Sequence, residues 1–425
     1  MTFTLIFLAA LTISVLLRYW LAQRHIRHIQ AHRASVPQDF ADRIDLESHQ
    51  KAADYSIAKT RLGNLNLIAE TALLLGFTLG GGIEALNSLW QNRLGSGLWQ
   101  GTALILSVFA ISTLVEIPLG FYRAFGIDAR FGFNKMTPAL FFTDLAKQML
   151  LGAAIGIPLL LGVLWLMGRM GEYWWLYVWG AWMGFNLLVL AVYPTFIAPL
   201  FNKFTPLEDA TLKARVEQLL QKCGFHAQGF YVMDGSRRST HGNAYFSGFG
   251  KSRRIVFFDT LLTRLGHDEI VAVLAHELGH FKHRHIVKRI VLMAAMSLAG
   301  LWLLGWLMDK EWFYHGLGVT EPGTATALLL FLLAMSAFTF LLQPLMSFYS
   351  RRNEFEADRY AANNASADDL VRALVKLYND NASTLTPDPL HSAFYDSHPP
   401  AAIRIAQLQD HGRVGTFFVP TRNNL

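Results

Sequence analysis

The chain has 425 residues, 52% of them hydrophobic and only 16% charged, with a net charge of +6. Soluble domains carry about 25% charged residues, so the composition excludes an ordinary water-soluble protein. The surplus of positive charge then reads as a topology signal rather than a nucleic-acid footprint. A single cysteine, Cys223, excludes an intramolecular disulfide.

Seven apolar stretches are each near the ~20 residues that a helix needs to cross a bilayer. They are 3–22, 66–90, 99–121, 148–168, 173–196, 289–308 and 324–347. The first has no basic residue before it and no small-residue cleavage site, so it is expected to stay as a span rather than leave as a signal peptide. Lysine and arginine crowd into 23–65, 122–147 and 197–288, while the other connections hold little beyond Arg93, Arg169 and Lys310. This alternation predicts that the basic segments and the C-terminal tail face the cytoplasm and the N-terminus faces outside or the lumen. Four parts follow: residues 1–196 with five spans, a cytoplasmic segment 197–288, two further spans in 289–347, and a C-terminal segment 348–425.

Within 197–288, RIVFFDTLLTRL begins as a short apolar strand, and Asp259 or Thr260 then starts a helix. The next run, HDEIVAVLAHELGHFKHRHIVKRI, has the apolar spacing of a buried helix, with Asp268 and Glu269 favourable in its first turn. His276 and His280 are four residues apart and share a face of that helix. Glu277 lies about 100° away, where it can reach a water on a metal held by the two histidines. This is the H-E-x-x-H arrangement of two zinc ligands and a general base. Zinc lowers the pKa of a bound water to roughly 7, and Glu277 would take the proton and pass it to the leaving amine. A polar helix turn at the membrane rim is the plainer alternative, but a buried polar pair after VAVLA then needs other partners.

A catalytic zinc wants a third protein ligand and an open position. Position 286 is Ile, so the longer motif with a third histidine is absent. In SRRNEFEAD, Glu354 and Asp358 share a helix face. Glu354 can ligate the metal, and Asp358 can accept a hydrogen bond from the far nitrogen of a ligating histidine. Glu356 falls on another face and reads as solvated; a salt-bridged surface helix with Arg351 and Arg352 is the alternative for the whole segment. His283 and His285 read as surface or interfacial residues. Glu70, Glu84 and Glu116 lie in or near spans, where facing lipid costs at least about 2–3 kcal/mol, so each should face a cavity or a partner, or sit at a helix end.

The ordered set FGFNKMTPALFFTDLAK, YPTFIAPLFNKFTPL, STHGNAYFSGFGKSRRIVFFDTLL, VLAHELGHFKHRH, SRRNEFEAD and SHPPAAIR resembles the type I CAAX prenyl proteases, integral-membrane zinc metalloproteases, over nearly the whole chain. The resemblance implies an all-α membrane protein whose seven or so transmembrane helices enclose a water-filled chamber. Merged with them would be a small cytoplasmic, gluzincin-like zinc protease domain with a short β-sheet. It also implies His276, His280 and Glu354 as ligands of one zinc ion and Glu277 as the base. His398 would stabilise the oxyanion or assist proton transfer. Asn243 would bind substrate beside an edge strand. Arg404 would pair with Asp358 or with the substrate carboxylate.

The leading expectation is therefore an endopeptidase cutting near the C-terminus of prenylated C-a-a-X peptides. Quality-control cleavage of membrane proteins without a prenyl requirement is the second. A transporter or lipid-binding protein with a structural zinc is the third, opposed by the glutamate at 277 and by three protein ligands where a structural site would have four. The expected partners are a peptide or protein substrate and the bilayer, with no nucleic acid and the oligomeric state open.

Overall fold

The structure is a computed structural model that describes residues 2–247 and 254–416. It opens with α1 (Thr2–His32), α2 (Leu46–Phe77), α3 (Gly82–Leu94), α4 (Leu98–Phe121), α5 (Pro138–Arg169) and α6 (Trp174–Val192). Local chemistry sets several starts. Asp45 accepts from the Ser48 N–H at 2.7 Å before α2. Thr137 caps α5, whose first residue is Pro138.

Six helical stretches are long and apolar enough to cross a membrane, and α2 with α3, bent by 53°, makes a seventh if the pair is one span. The expected continuous span at 66–90 is thus broken, over Thr78–Gly81. Glycine is required there. Gly81 has φ of 76°, and a Cβ on either Gly80 or Gly82 would lie 2.8 Å from the carbonyl oxygen of Gly76. Glu70 and Glu116 face one cavity of about 260 Å³ together with Arg18, and Glu84 accepts from the Thr320 N–H at 3.2 Å.

The second half begins with β1 (Phe204–Pro206), α7 (Ala210–Cys223), β2 (Gly229–Met233), β3 (Ala244–Ser247), β4 (Arg254–Phe258), α8 (Asp259–Leu262) and α9 (His267–Lys282). Then come α10 (His285–Leu307), α11 (Glu311–Gly316), α12 (Thr324–Thr339), α13 (Gln343–Asn364), α14 (Ala367–Asp380), α15 (Pro389–Tyr395) and α16 (Ala401–Thr416). The strand order is β1-β2-β4-β3. The β2–β4 pair is parallel and both outer pairs are antiparallel, so β3 is an edge. The inner strand β4 buries Ile255, Val256 and Phe257 in succession, as a strand covered on both faces does.

Two large cores result. One joins the membrane helices through Phe7, Leu104, Leu304 and Leu329. The other joins the sheet to α7, α9, α14 and α16 through Val216, Phe257, Leu274, Leu370 and Ile405, and it also takes in Phe40 and Ile44 from the connection between α1 and α2.

Helices α9 and α13 pack closely. A Cβ on Gly279 would lie 2.8 Å from the Ala357 Cα and 3.1 Å from its carbonyl oxygen. Backbone therefore meets backbone, and no side chain can be interposed. Helix propensity alone favours Gly279→Ala by about 1 kcal/mol. We expect the opposite sign, a loss of roughly 1–3 kcal/mol from overpacking, read as a lowered thermal midpoint in detergent. A raised midpoint would show that the crossing yields.

Candidate active site

The site is assembled from α9, α13 and the chain around α16. Helix α9 starts at a defined point because the Glu269 carboxylate accepts from the Gly266 N–H at 2.7 Å and from Lys376 Nζ at 2.8 Å. Its register then turns His276 and His280 toward α13. The two Nε2 atoms are 3.2 Å apart. Glu354 places Oε2 at 3.4 Å from His276 Nε2 and Oε1 at 3.4 Å from His280 Nε2. Among the described residues these three form the group able to hold a metal ion. Glu354 Oε2 is buried and has no hydrogen-bond partner.

The outward nitrogens of both histidines are occupied. His276 Nδ1 donates to Asp358 Oδ1 at 2.8 Å. Arg404 grips the same carboxylate from two sides, Nε to Oδ2 at 2.8 Å and Nη2 to Oδ1 at 2.6 Å. The arginine side chain is 6% exposed and the aspartate 2%. Of the two roles foreseen for Arg404, the geometry favours the bond to Asp358, since two of its three nitrogens are already committed there.

On the other histidine, His280 Nδ1 lies 2.9 Å from His285 Nδ1, and His285 Nε2 lies 3.1 Å from Glu356 Oε2. A consistent assignment has His280 donating to His285 and His285 donating to Glu356. The reading of His285 as a surface or interfacial residue is therefore corrected, since it is 5% exposed and buried against the site, and Glu356, read as solvated, is partly covered and held by it. The cause is Arg284, which takes φ of 55° and turns the chain between α9 and α10. No helical projection of the sequence could show that turn. His283 stays half-exposed and stacks on His285.

Electrostatics agree with a cluster that calls for one positive charge. Burial works against protonating His276, but Asp358 and Glu354 outweigh it and raise its pKa to about 9. Burial, reinforced by His276, lowers that of His280 to about 4. Burial also lifts the Glu277 carboxyl above the usual carboxylate range, with Glu354 adding to the lift and His276 and Arg404 opposing it.

His398 stands between α15 and α16, its Nε2 3.4 Å from Glu354 Oε1 and its Nδ1 2.9 Å from Ser397 Oγ. Pro399 and Pro400 follow, and the Pro400 carbonyl accepts from the Arg404 N–H at 3.2 Å, which ties both residues to one turn. Asn243 is exposed just before β3. Its Oδ1 accepts from the Ala244 N–H at 2.8 Å, and among the described residues its Nδ2 has no acceptor. Strand β3 is held against α9 by an edge-on contact of Phe246 with Phe281 at 5.2 Å. The segment 248–253 of the quoted family-like stretch lies outside the described residues.

A helical membrane bundle that carries a buried H-E-x-x-H helix, with a glutamate from a second helix completing the trio, defines an integral-membrane metallopeptidase. Residues 25–203 match the family described as CAAX prenyl protease N-terminal, five membrane helices, and residues 206–411 match peptidase family M48. The chain belongs to peptidase family M48. It is 32% identical to a CAAX prenyl protease 1 homolog of Caenorhabditis elegans, over 95% of this chain and 97% of that one. It is 34% identical to CAAX prenyl protease 1 of Saccharomyces cerevisiae, over 88% of each. The crystal structure of S. mikatae Ste24p superposes with a TM-score of 0.90 at 32% identity, covering 96% of this chain and 99% of that one.

Replacing Arg404 with alanine leaves Asp358 charged and half-paired in a buried place. Breaking a buried pair in this way costs about 3–5 kcal/mol. Chemical unfolding of Arg404→Ala in detergent should show a loss of that size, and a change below about 1 kcal/mol would mean that solvent reaches the aspartate.

Proposed function

We propose that this protein is a zinc endopeptidase that cuts peptides near their C-terminus, with one zinc ion held by His276, His280 and Glu354. The carrying observation is that two imidazoles and a carboxylate converge closely enough to hold one ion, with the buried Glu354 Oε2 left without a hydrogen-bond partner. The two Nε2 atoms are 3.2 Å apart, and the carboxylate straddles them, Oε2 3.4 Å from His276 and Oε1 3.4 Å from His280, spacings close to the roughly 3.3–3.4 Å between neighbouring donors of a tetrahedral ion with bonds of about 2.0–2.1 Å. When bound, zinc supplies a Lewis acid that polarises the scissile carbonyl and makes water acidic enough to attack near neutral pH.

The chain's own groups do the rest. Asp358, clamped by Arg404, keeps the His276 proton on Nδ1 and leaves Nε2 as a lone pair; His285 and Glu356 do the same for His280. Glu277 takes a proton from the attacking water on its carboxylate and returns it to the leaving amine. His398 donates to the developing oxyanion. A substrate strand adds to the free edge of β3, where Asn243 Nδ2 donates to a substrate carbonyl. Arg404 acts through Asp358 rather than on the substrate.

The relatives' names, CAAX prenyl proteases, favour a C-a-a-X peptide with a lipid on its cysteine. The apolar half of the molecule gives such a lipid somewhere to rest. The basic segments orient the fold with residues 197–288 and 348–425 as the cytoplasmic protease part and the N-terminus on the opposite side.

Glu277→Gln should keep its zinc and lose about a hundredfold to ten-thousandfold in cleavage of a farnesylated C-a-a-X peptide; a variant as fast as the wild type would remove the base. Glu354→Ala should lose zinc on dialysis as measured by metal analysis, and normal zinc content would remove the third ligand. Equal cleavage of farnesylated and unmodified peptide would favour the quality-control reading.

A further inference from the structure

A cavity of about 950 Å³ opens between α6 and α10. It is reached from the active site, because His280 and the edge-strand residues Tyr245 and Phe246 form part of its wall. Leu187, Leu190 and Met293 make much of the remainder apolar. Yet Arg284 and Arg289 also line it, and among the described residues no acidic one does. Among the described residues neither arginine is paired with a carboxylate. Both are exposed.

Arg284 occupies a left-handed backbone position with φ of 55°, where glycine or asparagine would sit with less strain. The backbone does not ask for arginine there. Two guanidinium groups without a carboxylate partner beside an apolar cavity suit an anion with an apolar approach. A peptide's free C-terminus, preceded by apolar side chains, has that chemistry. His280 and both arginines line the same cavity, and three extended residues span about 10 Å, the length of substrate the cavity would hold between them.

We propose that Arg284 and Arg289 bind the C-terminal carboxylate of the peptide substrate, so that the free end of the chain, as well as its side chains, positions the bond to be cut. The proposal rests on the peptidase reading above and adds a specificity element to it. The apolar wall between the cation pair and His280 then receives the side chains that precede the terminus.

The test uses the full zinc-loaded protein and an apolar tripeptide in two forms, free acid and C-terminal amide, with binding read by calorimetry and without turnover. The wild type should prefer the acid by about tenfold or more, the range of a charged hydrogen bond. Arg284→Gln with Arg289→Gln should bind both forms alike, at the wild-type amide affinity. Arg284→Lys with Arg289→Lys should retain most of the preference, which separates lost charge from lost folding. Equal binding of the two forms by the wild type, or an acid preference that survives the glutamine pair, overturns the proposal. The first result would point to lipid headgroups as the arginines' partner, and the second to the zinc as the carboxylate's. A protein that prefers the acid but cleaves no peptide would fail the peptidase reading alone, and one that cleaves acid and amide peptides alike would fail this one alone.

Discussion

The contact on which the site depends is the backbone approach of α9 to α13 at Gly279 and Ala357. Packed helices ordinarily stand 8–10 Å apart, set by the side chains between them. Here the side chains are reduced to a hydrogen and a methyl. Gly279 lies between Glu277 and His280 in sequence, and Ala357 lies between Glu354 and Asp358. The crossing thus sits at the centre of the converging His276, His280 and Glu354 side chains, and its closeness lets one carboxylate meet two imidazoles.

The second constraint is charge balance in a buried place. A buried carboxylate or imidazole needs a partner, and an unpaired one is costly. Asp358 has Arg404 and His276, and Glu356 has His285. These two short chains run outward from the two histidines and fix which nitrogen of each carries the proton. Glu354 is the exception, with an oxygen left over. The cluster is therefore complete in every direction except inward, and the inward direction is where a cation belongs.

How much of this the sequence discloses depends on the range of each interaction. His276, Glu277 and His280 are legible because a helix places residues four apart on one face whatever surrounds it. Glu354 and Asp358 follow by the same rule within their own helix, although nothing local says that the two helices meet. The bend at Thr78–Gly81 is missed because an apolar window reads composition, and the glycines that force it are compatible with a continuous span until the Gly76 carbonyl is in place. The spans also run past their apolar windows. α1 reaches His32 and α2 begins at Leu46, since a helix that leaves lipid can continue inside protein. His285 and Glu356 are unreadable for a different reason: their contact depends on one residue, Arg284, adopting a backbone angle that its type disfavours.

The position of Glu354 in the chain has a consequence for biosynthesis. It lies on α13, beyond the apolar α12 at the far end of the last candidate span, and Arg404 and His398 come later still. A ribosome-bound chain that has already exposed its histidine helix lacks the carboxylate needed to finish the trio. With the site roles proposed above, hydrolytic competence would arrive only after the final helix is integrated and the tail has docked, and an incompletely inserted copy would be inert toward its neighbours in the membrane.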